Sequence, residues 1–286
     1  MQAMTPDCVL AADLGGTKIL AALVDAEGAT SRLFEVATPA QSGAAAVCEA
    51  LRQLLEQVQG GARPRAIGLS LAGVIDPKTA RVIDATDALP GWKGTALRAE
   101  LAGFHLPIAA RNDVHAALIG ESWLGALRDC RHGALLTLGT GLGAAFLVDG
   151  RLHEGHGQLA GHLGRTEWLH QGHRVPLESL LSGTGLARLH GGAADGREVI
   201  ARLGDPAAKA ALQAWVDLLA LQLRNLHWAF DPGRVLIGGG MIDAREHWWP
   251  LLTPELADLP LDVQPAELGS RAGLLGAARM AWETLA

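Results

Sequence analysis

Two stretches of this chain read as copies of each other, and that repeat constrains the fold more than any other feature. The first runs Asp13-Leu14-Gly15-Gly16-Thr17-Lys18-Ile19-Leu20-Ala21-Ala22-Leu23-Val24-Asp25. The second runs Thr137-Leu138-Gly139-Thr140-Gly141-Leu142-Gly143-Ala144-Ala145-Phe146-Leu147-Val148-Asp149. Aligned without a gap, they share a Leu-Gly start, a Gly/Thr turn and a closing Leu-Val-Asp. An internal repeat of this length predicts a duplicated fold with one unit in each half of the chain. Each copy is an apolar run, a Gly-Thr turn and a second apolar run. That pattern predicts a β-hairpin whose tip offers backbone N–H groups and hydroxyls. Two such tips facing one another would hold a chain of phosphates between two domains.

With 286 residues the chain has room for two domains with ordinary cores. An apolar fraction of 49% against 19% charged residues excludes a disordered chain. Tyr is absent and Phe is scarce, so Ala, Leu and Val with a few Trp must build the cores. A net charge of −6 leaves no electrostatic footprint for nucleic acid or an anionic membrane. No apolar run is long enough to span a bilayer. The stretch Met1 to Leu10 carries Asp7 and no basic start, so it does not read as a signal peptide. Cys8, Cys48 and Cys130 are odd in number and widely spaced, against both a disulfide framework and a Cys-based metal site. The expected setting is the cytoplasm.

Along the chain, Val9–Ala12 and Ile19–Val24 read as the first hairpin and Leu33–Ala37 as a third strand. Ala44–Gln59 has apolar residues at helical spacing and stops at Gly60-Gly61. Ala66–Ser70 reads as a buried strand, and Ser70–Gly94 as a loop with a small hairpin near Arg81–Asp84. Leu106–Ala110 is a strand, followed by Arg111-Asn112-Asp113 and a helix from Val114 to about Leu127. Strands at Ala134–Leu138 and Ala144–Val148 open the second unit. Gly150–Arg174 is Gly- and His-rich with weak periodicity and reads as a solvated polar loop. A helix starts near Leu177 and breaks near Gly183, and Ala207–Phe230 is the clearest amphipathic helix. A strand at Arg234–Ile237 stops at Gly238-Gly239-Gly240, and a helix near Gly273–Leu285 closes the chain. Strands alternate with helices in both halves, the α/β signature.

Asp13-Leu-Gly-Gly-Thr-Lys18 directly follows an apolar strand. Glycines there let the backbone approach a ligand, successive N–H groups form an anion-binding concavity, and the Asp13 carboxylate suits Mg²⁺, directly or through water. An ordinary hairpin turn is the other reading, which the repeat weakens. Neither copy is a Walker A loop or a Rossmann fingerprint. Asn112-Asp113 stands between a strand and a helix. It reads either as an N-cap or as a general base at a strand end, and both hold if Asn112 caps while Asp113 points outward. The triple glycine at 238–240 finds no packing reason in the sequence and suits a backbone passing close to a ring or a phosphate.

Together these features resemble the ROK family of sugar kinases and repressors, within the actin-like ATPase superfamily. Asp13–Lys18 is similar to its first phosphate motif, Leu138-Gly-Thr-Gly-Leu-Gly143 to its second, and Leu236-Ile-Gly-Gly-Gly-Met241 to its adenosine motif. Leu89-Pro-Gly-Trp-Lys-Gly94, Asn112-Asp113 and Gly120-Glu121 also fit. The resemblance implies a two-domain actin-like ATPase (ribonuclease H-like) fold with duplicated mixed sheets around an interdomain cleft. It implies an N-terminal domain over 1–114, onto which the last helix (about 273–286) folds back, and a C-terminal domain over 115–272. It implies ATP with Mg²⁺ held by Asp13, Gly15, Gly16, Thr17, Lys18, Gly139, Thr140, Gly141, Gly143, Gly238, Gly239 and Gly240, the Mg²⁺ at Asp13. It makes Asp113 the base that takes the proton of the attacking sugar hydroxyl. On the sugar side it places Gly73, Asn112, His162, Arg165 and Glu178. It further implies a homodimer, with ATP and a sugar as its small-molecule partners.

The chain departs from that family on the acceptor side. Where family kinases have A-G-E-x-G-H, this chain has Ala160-Gly-His-Leu-Gly-Arg165, so His162 replaces the Glu and Arg165 the His. The family's zinc-binding C-x-C-G-x-x-G-C-x-E aligns with Leu169-His-Gln-Gly-His-Arg-Val-Pro-Leu-Glu178. Leu169, Gln171 and Pro176 hold the Cys positions and only Glu178 is kept, so no structural zinc of the family type is expected. His153, His156, His162, His170 and His173 lie in this stretch, at a spacing that matches no metal motif. Arg165 is a planar, permanently charged fork, which reads either as a reader of an anionic substrate group or as a brace paired with Glu167 or Glu178. A repressor of this family would need a helix-turn-helix domain ahead of Asp13. A non-catalytic sugar- or nucleotide-binding protein is the remaining alternative to a kinase.

Overall fold

The computed structural model describes residues 7–286. Met1–Pro6, part of the segment read above for a leader, lie outside the described residues.

The first repeat forms the hairpin it predicts. β1 (Val9–Leu14) and β2 (Lys18–Val24) pair antiparallel, with Asp13 opposite Leu20. Both are buried on both faces, which is why their apolar runs are continuous rather than alternating. β3 (Thr30–Ala37) adds the exposed edge. α1 (Ala44–Gln59) buries Val47, Cys48, Leu51, Leu54, Leu55 and Val58 along one stripe and ends at Gly60, whose φ is +49°. β4 (Ile67–Leu71) lies parallel to β1, followed by the hairpin β5 (Val74–Asp76) and β6 (Arg81–Asp84) and the single turn α2 (Leu97–Glu100). β7 (Ile108–Asn112) lies parallel to β4 and runs straight into α3 (Asp113–Leu124). The sheet order is β3-β2-β1-β4-β7.

The second repeat starts the same topology again. β8 (Gly133–Leu138), β9 (Leu142–Val148) and β10 (Arg151–His153) form an antiparallel meander. A separate hairpin, β11 (Glu167–His170) with β12 (His173–Pro176), follows. Then come α4 (Gly183–His190), α5 (Gly196–Ala201) and α6 (Pro206–Phe230). Each of these helices starts on an oxygen-bearing cap, Ser182, Asp195 or Asp205, and α6 adds Pro206 at its first turn. β13 (Arg234–Gly238) lies parallel to β8, and α7 (Arg245–Glu255) leads to the edge strand β14 (Val263–Pro265). The order β10-β9-β8-β13-β14 repeats that of the first sheet element for element.

α8 (Ala272–Glu283) closes the chain and packs on β1, β4 and α3. Its backbone nearly touches theirs. A Cβ on Gly276 would fall 1.7 Å from the Ala116 carbonyl oxygen, and one on Gly68 1.8 Å from that of Ala277. Contacts group the chain into one unit up to Arg128, with Gly155–Leu159 and Ser270–Ala286, and a second of Asp129–Glu154 and Ala160–Gly269.

The stretch 150–174 is not the loop expected from its composition. It holds β10 and the β11–β12 hairpin, turned by Gln171 (φ +49°) and Gly172 (φ +80°), two left-handed residues as a tight two-residue turn requires. α5, α7 and β14 also escape the sequence reading; α7 carries Pro250 and Pro254 inside it, which read as helix breaks. Among the described residues no helix is long and apolar enough to cross a membrane.

Candidate active site

The first group of site residues lies where β1, β4 and β7 end. Register sets Asp13 beside Ser70, so the two side chains share one face of the sheet. Ser70 is fully buried and its hydroxyl donates to Asp13 Oδ1 at 2.5 Å. α8 begins against the same carboxylate: a Cβ on Gly273 would lie 2.7 Å from Asp13 Oδ1. Burial pushes the Asp13 carboxyl up to about 6, the Ser70 hydrogen bond opposes this, the Asp113 charge adds to it, and Lys18 opposes it.

The capping role that sequence left open falls to Asn112. Asn112 caps α3, its Oδ1 accepting from Val114 N at 3.0 Å and His115 N at 3.3 Å. Such a cap contributes about 1 kcal/mol. Its Nδ2 donates to Gly73 O at 2.9 Å and to Asp113 Oδ1 at 2.8 Å. Asp113, the first residue of α3, also accepts from Val114 N through Oδ1 at 2.9 Å. Burial raises its carboxyl above the usual range, against the lowering pull of those two bonds. Gly73 serves the turn as well as Asn112, since at φ +100° a Cβ would meet Asp84 O at 2.6 Å.

The first glycine turn is held from outside by Thr38. Its Oγ1 donates to Gly15 O at 2.7 Å and its N to Thr17 O at 3.0 Å, while Gly15 N donates to Lys18 O at 3.0 Å. At Gly16 neither φ nor any neighbour within 4 Å demands a glycine. Lys18 reaches outward to Glu35 at 2.9 Å, both exposed, a pair of little energetic weight.

The second group gathers in the other unit, and a threonine again holds the turn. Gly139 N donates to Gly141 O at 3.0 Å, Gly183 N donates to Gly139 O at 2.7 Å, and Thr184 Oγ1 donates to Thr140 O at 2.8 Å. Gly143, the second residue of the return strand β9, lies opposite Thr137. Gly238–Gly240 packs on the same turn. Gly239 has φ +82° and a Cβ there would lie 2.5 Å from Leu138 O; one on Gly238 would lie 3.2 Å from Ala266 Cβ. Packing therefore explains two of the three glycines, and only Gly240 has open space within 4 Å.

Glu178 sits beside this turn: a Cβ on Gly141 would fall 2.8 Å from its Oε2, and one on Gly164 3.0 Å from it. His162 precedes the short turn Leu163–Arg165 and is half-buried, whereas Arg165 is exposed. Glu167, one of the partners considered for Arg165, pairs with Arg174 at 3.5 Å. Gly120 and Glu121 serve the fold: Gly120 lets α3 approach α8, and buried Glu121 accepts from Ala126 N at 3.0 Å. Trp92 of the Leu89–Gly94 motif is fully buried and donates its indole N–H to Ala72 O at 3.0 Å.

Sequence reasoning missed Ser70, Thr38 and the Ser182-Gly183-Thr184-Gly185 start of α4. The last repeats the Gly-Thr signal of the two turns and was legible; the other two depend on pairing across strands. Among the described residues no group of three or more His, Cys, Asp or Glu side chains gathers as a metal site. Mg²⁺ needs less from the protein, one or two carboxylates and the oxygens of a nucleotide. Asp13 with the Asp113 charge nearby fits that requirement, and the raised Asp13 carboxyl is a site whose ionised form a cation would stabilise.

The ROK hexokinase of Thermus thermophilus superposes with a TM-score of 0.84 at 31% identity, over 97% of this chain and 99% of that one. A ROK family glucokinase from Streptomyces griseus, solved with glucose and AMPPNP, gives 0.80 at 28% identity, over 96% and 99%. The bifunctional enzyme NanE/NanK of Brucella suis is 33% identical over 288 residues, covering 96% of this chain and 53% of that protein. The family model described as "ROK family" matches residues 9–284. The repeated glycine turns, the Asn112-Asp113 strand end and this match over nearly the whole chain agree, and the chain belongs to the ROK family.

Proposed function

We propose that the protein is an ATP-dependent kinase that phosphorylates a hydroxyl of a hexose or hexose derivative, an N-acetylated hexosamine included. The observation that carries this reading is Asp113. Its Oδ1 is engaged by Val114 N and Asn112 Nδ2, its carboxyl is raised by burial, and it stands at a strand end on a capped helix. That orientation leaves Oδ2 to take the proton of the attacking hydroxyl, and a carboxyl raised toward neutrality is a better base than an ordinary one. The hydroxyl oxygen bonds to the terminal phosphorus, the bond from that phosphorus to the bridging oxygen breaks, and ADP leaves.

Phosphoryl transfer asks the protein chiefly to position groups and to stabilise charge. We assign the phosphates to the turns Gly15–Thr17, with Lys18, and Gly139–Gly143, and the adenosine to Gly238–Gly240. Bound Mg²⁺ supplies charge neutralisation at the phosphates, with Asp13 as its protein ligand. On the acceptor side we assign Gly73, Asn112, His162, Arg165 and Glu178. The glucokinase from Streptomyces griseus, solved with glucose and AMPPNP, supports the pairing of a hexose with a nucleotide. The same reading takes the protein to be a cytoplasmic homodimer.

The test is a coupled ATP-turnover screen over hexoses, N-acetylated hexosamines and sugar acids. Mg²⁺-dependent turnover on a neutral sugar is the expected result. Faster turnover on sugar acids would assign Arg165 to an anionic group of the substrate. ATP binding without turnover on any sugar would make the protein a binding module instead.

Asp13 must be ionised to hold a cation, and its carboxyl is raised to about 6 in the free protein. The kcat/KM, which reports free-enzyme ionisations, is therefore expected to rise with pH through about 6. The Ser70 hydroxyl lowers that value, so Ser70→Ala is expected to move the acid limb to higher pH. Superimposable profiles for the two proteins would remove Ser70 from this role.

A further inference from the structure

We propose that Trp168 is a positioning residue for the acceptor side, anchoring a hairpin that ties His162–Arg165 to Glu178. The inference rests on the kinase reading above. β11 and β12 pair only with each other, with Trp168 opposite Val175 and His170 opposite His173. A lone two-stranded hairpin is marginal by itself and needs an apolar face packed on something else. Strand alternation supplies that face. Trp168 and Val175 share one side, and Trp168 packs against the core of the second unit. Glu167, Leu169 and Arg174 fall on the other side, where Leu169 is 70% exposed and Glu167 pairs with Arg174.

The base of this hairpin joins the two acceptor segments. Leu177 N donates to Thr166 O at 2.8 Å, and Thr166 N donates to Leu163 O at 3.0 Å. Thr166 Oγ1 donates to the same Leu163 O at 2.6 Å. Thr166 ends the turn that carries His162 and Arg165, and Leu177 starts the turn that carries Glu178. Glu178 then lies against Gly164, which has no side chain to hold it off. No cysteine stands anywhere in 160–178, so the brace must come from packing, and Trp168 is its largest side chain. Losing it would let the two turns drift apart with less effect on the glycine turn at 139–141, which Gly183 N and Thr184 Oγ1 hold from the start of α4.

The experiment compares wild type, Trp168→Ala, Trp168→Phe and Leu169→Ala in the full chain. Steady-state constants are measured for sugar and ATP separately, with ATP binding followed by calorimetry. A misplacement of about 1 Å costs on the order of 10²-fold, so kcat/KM for the sugar is expected to fall by about that much in Trp168→Ala. The constant for ATP should stay put, Trp168→Phe should recover most of the loss, and Leu169→Ala should match wild type. Dialysis of wild type against a chelator should leave its thermal midpoint unchanged. If Trp168→Ala fails to fold, Trp168→Phe and Trp168→Leu carry the comparison, with Leu the weaker of the two. Sugar and ATP constants moving together, no loss in any Trp168 variant, or a midpoint that falls on chelation would each overturn the proposal. A wild type inactive on every sugar would instead sink the kinase reading itself.

Discussion

Asp113→Asn is expected to lower kcat by about 10²–10⁴-fold, the usual worth of general-base help, with ATP binding retained. The substitution is close to isosteric, and the cap of α3 does not depend on it. Asn112 Oδ1 keeps the bonds to Val114 N and His115 N. In the proposed mechanism the loss is the acceptor for the hydroxyl proton at Oδ2, because an amide cannot take a proton there. Calorimetric titration with ATP, together with single-turnover measurements on the best sugar of the screen, separates binding from chemistry. Equal turnover in the two proteins would take Asp113 out of the mechanism and leave it a helix-start residue.

The second large effect is structural. Gly276→Ala should destabilise the first unit by about 1–3 kcal/mol or more, the range for forcing extra volume into a packed interior. The new Cβ would fall 1.7 Å from Ala116 O and 3.0 Å from Gly120 N, both backbone atoms that no rotamer change can move. α3 and α8 must separate to admit it. α3 carries Asp113 at its first position, and α8 starts against the Asp13 carboxylate. Catalysis should therefore fail along with stability, well before the chain unfolds. Gly204→Ala is the control, because nothing lies within 4 Å of its Cβ position and a substitution of that kind usually changes stability by less than about 0.5 kcal/mol. Equal midpoints for Gly276→Ala and Gly204→Ala in thermal unfolding would refute the close-packing account.

What could be read from residues alone follows the range of the interaction. Strands β1, β2, β8 and β9 were legible because their apolar runs are nearly continuous. α1 and α6 were legible from their one-sided stripes and their ends. The hairpin β11–β12 was hidden because its apolar side has only Trp168 and Val175, set among histidines and glycines. α7 was hidden by Pro250 and Pro254, which tertiary packing around buried Trp248 and Leu252 overrides. Gly276 and Gly68 carry no local signal at all, since neither has the positive φ that marks a turn glycine. Their reason is a carbonyl from another element.

The repeat at Asp13 and Thr137, read from sequence alone, determined a duplicated α/β chain with a glycine-threonine turn in each half. The local pattern of residues 106–127 determined that an Asn-Asp pair would stand at a strand end, because turns, caps and continuous apolar runs are local and leave local marks. Only the tertiary structure decided which of those residues act together. Pairing of β1 with β4 brings the Ser70 hydroxyl to Asp13, and the packing of α8 sets a helix start against the same carboxylate. Asn112 takes the cap of α3, while Leu138 and Ala266 lie close against Gly239 and Gly238. The physical reason is that hydrogen bonds across strands and backbone contacts between helices join residues far apart in the chain, and neither writes a periodic pattern into it.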